Sequence, residues 1–135
     1  MSENNSEKVS VNINISTLSS IDLLVDHGYY SNRSDFINQA LRNTLQQHQT
    51  TIDRLIDQNR KQQNQNGWFL GIYGFTAKEI EALYEAGESI AIKGYGLLVI
   101  DKNCDEEKLF AVIKSISVKG KISCTESVKA HYGLK

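Results

Sequence analysis

The chain has 135 residues, with 15 Lys and Arg against 16 Asp and Glu, and a sequence pI near 6.3. That length holds one ordinary domain or two small ones, and the near-neutral charge excludes an indiscriminate nucleic-acid coat. No apolar run approaches the about 20 residues of a membrane helix, and Met1 to Glu7 lacks the cationic and apolar parts of a signal peptide. No membrane association and a cytoplasmic location are therefore expected, with Cys104 and Cys124 as reduced thiols.

The stretch from Lys8 to Leu45 is the most informative. In Lys8-Val-Ser-Val-Asn-Ile-Asn-Ile15 every second residue is apolar and β-branched. A strand there places Val9, Val11, Ile13 and Ile15 on one face and Lys8, Ser10, Asn12 and Asn14 on the other. A lone strand of this length is not stable in water, and about forty residues lie near the lower limit for a self-sufficient core. The expected solution is an antiparallel ribbon made with the same strand of a second chain, a shape that fits the DNA major groove.

Ser16 or Thr17 then offers an N-cap, Leu18, Ile21, Leu24 and Val25 recur at helical spacing, and Gly28 ends the helix near His27. Ser31 to Asp35 offers a second N-cap before the apolar stripe Phe36, Ile37, Ala40, Leu41, Leu45. A helix start with unpaired amides and an arginine is an anion site. Val9-Ser-Val-Asn-Ile13, Leu18 to Val25 and Gly28-Tyr-Tyr-Ser-Asn-Arg-Ser-Asp-Phe-Ile37 together resemble the ribbon-helix-helix transcription regulators, over roughly the first third of the chain.

The resemblance implies paired strands in the major groove that read bases with Lys8, Ser10 and Asn12, and with Asn14 as a less favoured fourth. Lysine suits guanine acceptors, asparagine can bond adenine twice, and serine is undemanding. It also implies a phosphate grip by Ser31, Asn32, Arg33 and Ser34, which positions more than it specifies. Taken singly, an outward Lys-Ser-Asn face is a solvated edge strand and Ser-Asn-Arg-Ser a helix cap. Their order and spacing favour DNA. Residues 1–47 nevertheless hold three basic side chains, Lys8, Arg33 and Arg42, against five acidic ones, Glu3, Glu7, Asp22, Asp26 and Asp35. Phosphate neutralisation supplies most non-specific affinity, so a single dimer should bind weakly and fill an operator in tandem.

From Gln46 to Asn66 the chain is rich in amides. Leu45, His48, Ile52, Leu55 and Asn59 step by three and four, so this stretch reads either as a short coiled-coil extension fading around Lys61 to Asn66 or as a flexible tether.

The second half begins at Gly67-Trp68. Thr76-Ala-Lys-Glu79 is a capping box, Ile80, Leu83 and Tyr84 form a helical stripe, and Gly87 ends it. Ser89 to Lys93 reads as a strand, Gly94-Tyr-Gly96 as a turn, and Leu97 to Ile100 as an apolar run. Asp101 to Glu107 leads into a helix bearing Leu109, Val112, Ile113 and Ile116, and a strand over 117–123 precedes a short last helix. Ile90-Ala-Ile-Lys-Gly94 echoes in Ile116-Ser-Val-Lys-Gly120, twenty-six residues on, which suggests a small βαβ layer.

His27, His48 and His131 are scattered without metal-ligand spacing, and Gly94-Tyr-Gly96 is too short for a phosphate loop. Asp105, Glu106 and Glu107 should raise the Cys104 thiol rather than activate it. No catalytic constellation, metal or cofactor is expected. Trp68, Phe69, Tyr73, Phe75, Tyr84 and Tyr95 could line a ligand cleft, but packing or burial against another copy is favoured.

The expected class is α+β: a ribbon-helix-helix intertwined dimer over residues 1–47, a helical linker over 48–66, and a small α/β domain over 67–135. The expected function is a sequence-specific repressor of double-stranded DNA, a homodimer whose second half builds tetramers or larger arrays. The alternative is an antitoxin-like autoregulator whose second half binds a protein partner. The caps, glycine stops and apolar periodicity of that half suggest independent folding and favour the first.

Overall fold

The computed structural model describes residues 6–62 and 67–134. Its contacts divide the chain into two compact units, Met1–Arg54 and Leu55–Lys135, built of helices and a three-stranded sheet.

In the first unit, residues 6–14 form neither helix nor sheet within the one chain and are exposed throughout. Helix α1 spans Ile15–Asp26, so Ile15 opens a helix rather than closing a strand. Its N-cap is neither Ser16 nor Thr17. Asn14 Oδ1 accepts from the Ser16 N–H at 2.8 Å, satisfying one of the amides a helix start leaves without an intrahelical acceptor. Helix α2 spans Arg33–Gln47 behind an Asn32 N-cap. Tyr30 and Phe36 meet edge to face at 4.9 Å where the two helices join.

Among the described residues of this unit Ile21 is the one buried apolar side chain, while Leu23, Ile37, Leu41 and Leu45 stay exposed. Burying an aliphatic side chain contributes about 1.5–3 kcal/mol, against about 1–2 kcal/mol lost for each residue whose backbone is ordered. One buried isoleucine cannot offset the ordering of two helices, so these stripes need a second surface.

Helix α3, Gln49–Gln62, follows after an interruption at His48 alone, where the His48 N–H tightens onto Leu45 O at 3.0 Å and Ile52 N–H resumes the ladder on His48 O at 2.9 Å. The amide-rich stretch is therefore helical as far as Gln62, which corrects the flexible-tether reading there. The expected fading over Lys61 to Asn66 lies partly outside the described residues.

The second unit is a parallel sheet in the order β1-β2-β3, with strands Trp68–Phe75, Ile90–Ile100 and Ile113–Ser123. Helix α4, Ala77–Glu85, joins β1 to β2, and α5, Glu106–Val112, joins β2 to β3; α6, Glu126–Tyr132, follows β3. The helices share one face of the sheet. Lys108 of α5 reaches Glu81 of α4 at 3.5 Å, and Phe110 of α5 stacks on His131 of α6 at 3.7 Å. Between helices and sheet lies the core, with Ile80, Ile92, Leu98, Leu109, Val112 and Ile113 all but sealed from water.

Several boundaries differ from the sequence reading. Trp68–Phe75 is a strand that it omitted, and Gly94-Tyr-Gly96 lies inside β2 rather than in a turn. Ile113 and Ile116 belong to β3, not to the preceding helix. The pairing skips a residue between Ile90/Ile113 and Ala91/Ser115, so Ile113 and Ile116 both turn toward the core.

The register also replaces the twenty-six-residue echo. Gly94 pairs with Val118, whereas Gly71, Gly96 and Gly120 stand side by side across the three strands. All three have positive φ, at 108°, 128° and 146°. A Cβ on Gly96 would lie 1.9 Å from Gly71 O, and one on Gly120 2.0 Å from Gly96 O, so neither position admits a side chain. Five residues beyond these glycines stand Thr76, Asp101 and Thr125, and the two threonines cap α4 and α6. At Asp101 a short turn intervenes, in which its carboxylate accepts from Asn103 N–H, and Asp105 caps α5 instead. The second unit is thus three strand-helix units, not two.

Candidate nucleic-acid interface

Val9 is 77 % and Val11 76 % exposed, and Lys8, Ser10 and Asn12 alternate with them in the same exposed segment. Exposed β-branched residues at every second position are the pattern of one sheet face, here in a segment that forms no strand within the one chain. The side chains between them offer an ammonium, a hydroxyl and a carboxamide. Asn14 differs: its Oδ1 is already engaged in capping α1, so it can offer a base edge its amide N–H groups alone while the cap persists.

At the start of α2, Asn32 Oδ1 accepts from Asp35 N–H at 2.8 Å, and the Asp35 carboxylate accepts from Ser31 N–H at 3.0 Å and from Gln39 at 3.0 Å. These donors, that of Ser31 first, hold the Asp35 carboxyl below its ordinary range, helped by the Arg42 charge. Two main-chain donors an anion would use are thereby occupied, and a carboxylate already complements the helix dipole. The first-turn amides of Arg33 and Ser34 have no acceptor within the helix.

Arg33 is not simply extended toward solvent. Its Nε and Nη2 donate to the two Asp22 oxygens at 2.8 Å each, a fork-to-fork pair linking α1 to α2. That bonding lowers the Asp22 carboxyl and raises the Arg33 guanidinium from their ordinary values. Sequence spacing did not reveal Asp22 as a partner, since the two are joined by folding across the turn. Ser31, Asn32, Arg33 and Ser34 are thus brought together at one helix start, with the guanidinium half committed. Lys8, Ser10 and Asn12 are grouped along the exposed segment.

Burial, followed by the charge of Asp101, pushes the Cys104 thiol up, and burial does the same to Cys124. The direction for Cys104 is as expected, but the cause is burial rather than the expected Asp105, Glu106 and Glu107. Among the described residues there is no cluster of His, Cys, Asp and Glu able to hold a metal ion, and no helix long and apolar enough to cross a membrane.

The first unit thus presents an exposed alternating segment ahead of two short helices that bury a single apolar residue among those described. The chain belongs to the Ribbon-Helix-Helix transcriptional regulator family, whose match covers residues 4–129, nearly the whole chain rather than the first third alone. Membership implies a transcriptional regulator that binds DNA and dimerises, and members are regulators rather than enzymes. No curated protein and no solved structure matches the chain significantly.

Proposed function

We propose that this protein is a sequence-specific repressor that inserts a two-chain β-ribbon into the major groove, reading bases with Lys8, Ser10 and Asn12. The second unit joins copies together, so that dimers fill neighbouring half-sites as tetramers or larger arrays. The observation that carries the reading is the exposed alternation of Val9, Val11 and Ile13 with Lys8, Ser10 and Asn12, immediately ahead of a helix pair of this family. Arg33, Ser31, Asn32 and Ser34 grip phosphate in this reading, with the Asp22 pairing limiting the share of the guanidinium. Asn14 serves the α1 cap first and base contact second. The antitoxin-like alternative has less support, because the second unit carries a sealed core of its own instead of a tail that folds on a target.

The test is selection of an operator from random duplex DNA by the full chain, followed by Asn12→Ala. Loss of sequence preference by about 1–3 kcal/mol for each symmetric contact, with unchanged circular dichroism and dimerisation, is expected. An unchanged preference removes Asn12 from the readout, and failure to select any sequence refutes the proposal.

A further inference from the structure

The sheet of the second unit is open at both edges. In the order β1-β2-β3 each outer strand has one hydrogen-bonded neighbour, and no described strand lies on its other side. An open edge is a row of main-chain donors and acceptors, which proteins ordinarily guard with charge, proline or short length. β1, Trp68–Phe75, has neither charge nor proline. β3 carries Lys119 and Lys121, but these stand in the rows of Tyr95 and Leu97 and project from the sheet face, which leaves the edge groups open to a partner strand.

The two edges are complementary. The space of a Cβ on Gly96 is taken by Gly71 O at 1.9 Å, and that of a Cβ on Gly120 by Gly96 O at 2.0 Å. Each strand thus brings a carbonyl to the glycine of the next. At Gly71 the same space holds nothing within 4 Å. A strand set before β1 must bring a carbonyl there, and a strand set after β3 must bring a glycine beside Gly120. β1 and β3 of two copies meet both conditions at once. There is also room: a groove of about 570 Å³ opens at β3, lined by Val118, Gly120, Ile122 and Ser123 and by Gly133 and Leu134. The Leu134 N–H donates to Lys129 O at 2.8 Å and holds the far wall in place.

We infer that β1 of one copy adds to the β3 edge of another, parallel and with Gly71 beside Gly120, so that the sheet continues from copy to copy. The register of the existing pairs then sets Leu70 beside Lys119, Ile72 beside Lys121, Phe69 beside Val118 and Tyr73 beside Ile122. No lysine meets a lysine, and the half-buried Val118 and Ile122 gain aromatic neighbours. Such a contact joins two different surfaces, so it repeats into a row or a ring, with main-chain bonds supplying affinity and the glycine row the register. The inference deepens the proposed assembly of copies and rests on that reading only for its purpose on DNA.

The test mixes full chains carrying Ile72→Cys with full chains carrying Lys121→Cys under copper phenanthroline. Neighbouring strands lie about 4.8 Å apart, within disulfide reach. The mixture should give severalfold more disulfide-linked dimer than either variant alone or the unsubstituted protein. Adding Gly71→Ala to the Ile72→Cys chain should abolish that excess, because the methyl, free of contacts in one chain, would meet Gly120 O of the neighbouring copy; Trp68 emission reports that the unit is folded. If Gly71→Ala does not fold, the mixture against its controls decides alone. Linking no better than the controls overturns the inference. Equal linking by Ile72→Cys alone also overturns it, in favour of an antiparallel contact between two β1 strands, and so does undiminished linking by a folded Gly71→Ala chain. DNA binding measured on the same samples separates the two ideas. Intact binding without linking removes this inference alone, and linking without binding removes the regulator reading alone.

Discussion

Gly96→Ala should be among the most damaging single-atom additions the second unit can suffer. Gly96 lies mid-sheet with φ of 128°, and the new methyl would fall 1.9 Å from Gly71 O and 2.8 Å from its carbonyl carbon. Relieving that overlap requires β1 and β2 to part by about 1 Å, which carries N–H···O bonds of about 2.9 Å out of range. Losing two or three such bonds at about 1 kcal/mol each, on top of about 1–3 kcal/mol for a side chain held in a glycine conformation, gives about 3–6 kcal/mol. Gly71→Ala has the same backbone problem at φ 108° but meets nothing within 4 Å, so the conformational cost of about 1–3 kcal/mol stands alone. Gly120→Ala clashes at 2.0 Å with Gly96 O, which parts the edge strand β3 from β2 just as Gly96→Ala parts the edge strand β1, and should cost about as much. Urea unfolding followed by Trp68, the single tryptophan and a buried residue of β1, reads this unit directly. If Gly71→Ala lowers the midpoint as far as Gly96→Ala, the loss comes from φ alone and the glycine row does not set the strand spacing.

Asp22→Asn should release the Arg33 guanidinium and steepen the fall of DNA affinity with salt, since more cationic hydrogen-bonding capacity reaches phosphate; an unchanged or shallower slope in a salt titration would show that Arg33 does not meet the backbone. Asn14→Ala should cost helix α1 about 0.5–2 kcal/mol, whereas Asn14→Asp keeps the capping oxygen; retained DNA preference in the Asp variant, measured by competition, assigns Asn14 to the cap alone. Burial pushes the Tyr132 phenol up to about 12, and its O–H donates to Ile113 O at 2.6 Å. The folded state therefore favours the neutral phenol, and the resulting stability is present below the ordinary tyrosine range and lost as pH rises toward about 12. Tyr132→Phe should flatten that alkaline limb of the urea midpoint, and an unaltered limb would place the titration elsewhere.

What could be read in advance followed from locality. Helical spacing over Leu18 to Val25 and Phe36 to Leu45 found both helices of the first unit because the apolar stripe and the caps lie within a few residues of each other. The alternation of Lys8 to Ile15 places Asn14 in a strand, while Asn14 equally serves as an N-cap, and the two patterns share that residue. Asp22 and Arg33 stand eleven positions apart, and only the turn between helices makes them neighbours. In the second unit, Leu109, Val112, Ile113 and Ile116 keep helical steps across a helix end, because the register skip at the start of β3 returns the last two to the core. Glycines that usually punctuate strands hid β1 and split β2. The signal that could have recovered them was present: Gly71, Gly96 and Gly120 recur at intervals of 25 and 24, each with a capping-type residue five positions later.

The acidic first unit and the Asp22 clasp bear on how such a protein can find one sequence among many. Each phosphate contact strengthens binding everywhere along DNA, whereas base contacts strengthen it at one site. With five acids against three bases in residues 1–47, and with Arg33 partly held by Asp22, the general affinity is kept low. In the proposed reading the ratio between specific and non-specific binding then rests on the ribbon. On that reading a short ribbon bearing Lys8, Ser10 and Asn12 from each chain supplies few base contacts, so high occupancy at an operator needs linkage between neighbouring modules. In the same proposed reading the second unit, which carries a sealed core of its own, provides such linkage without adding charge to the first unit.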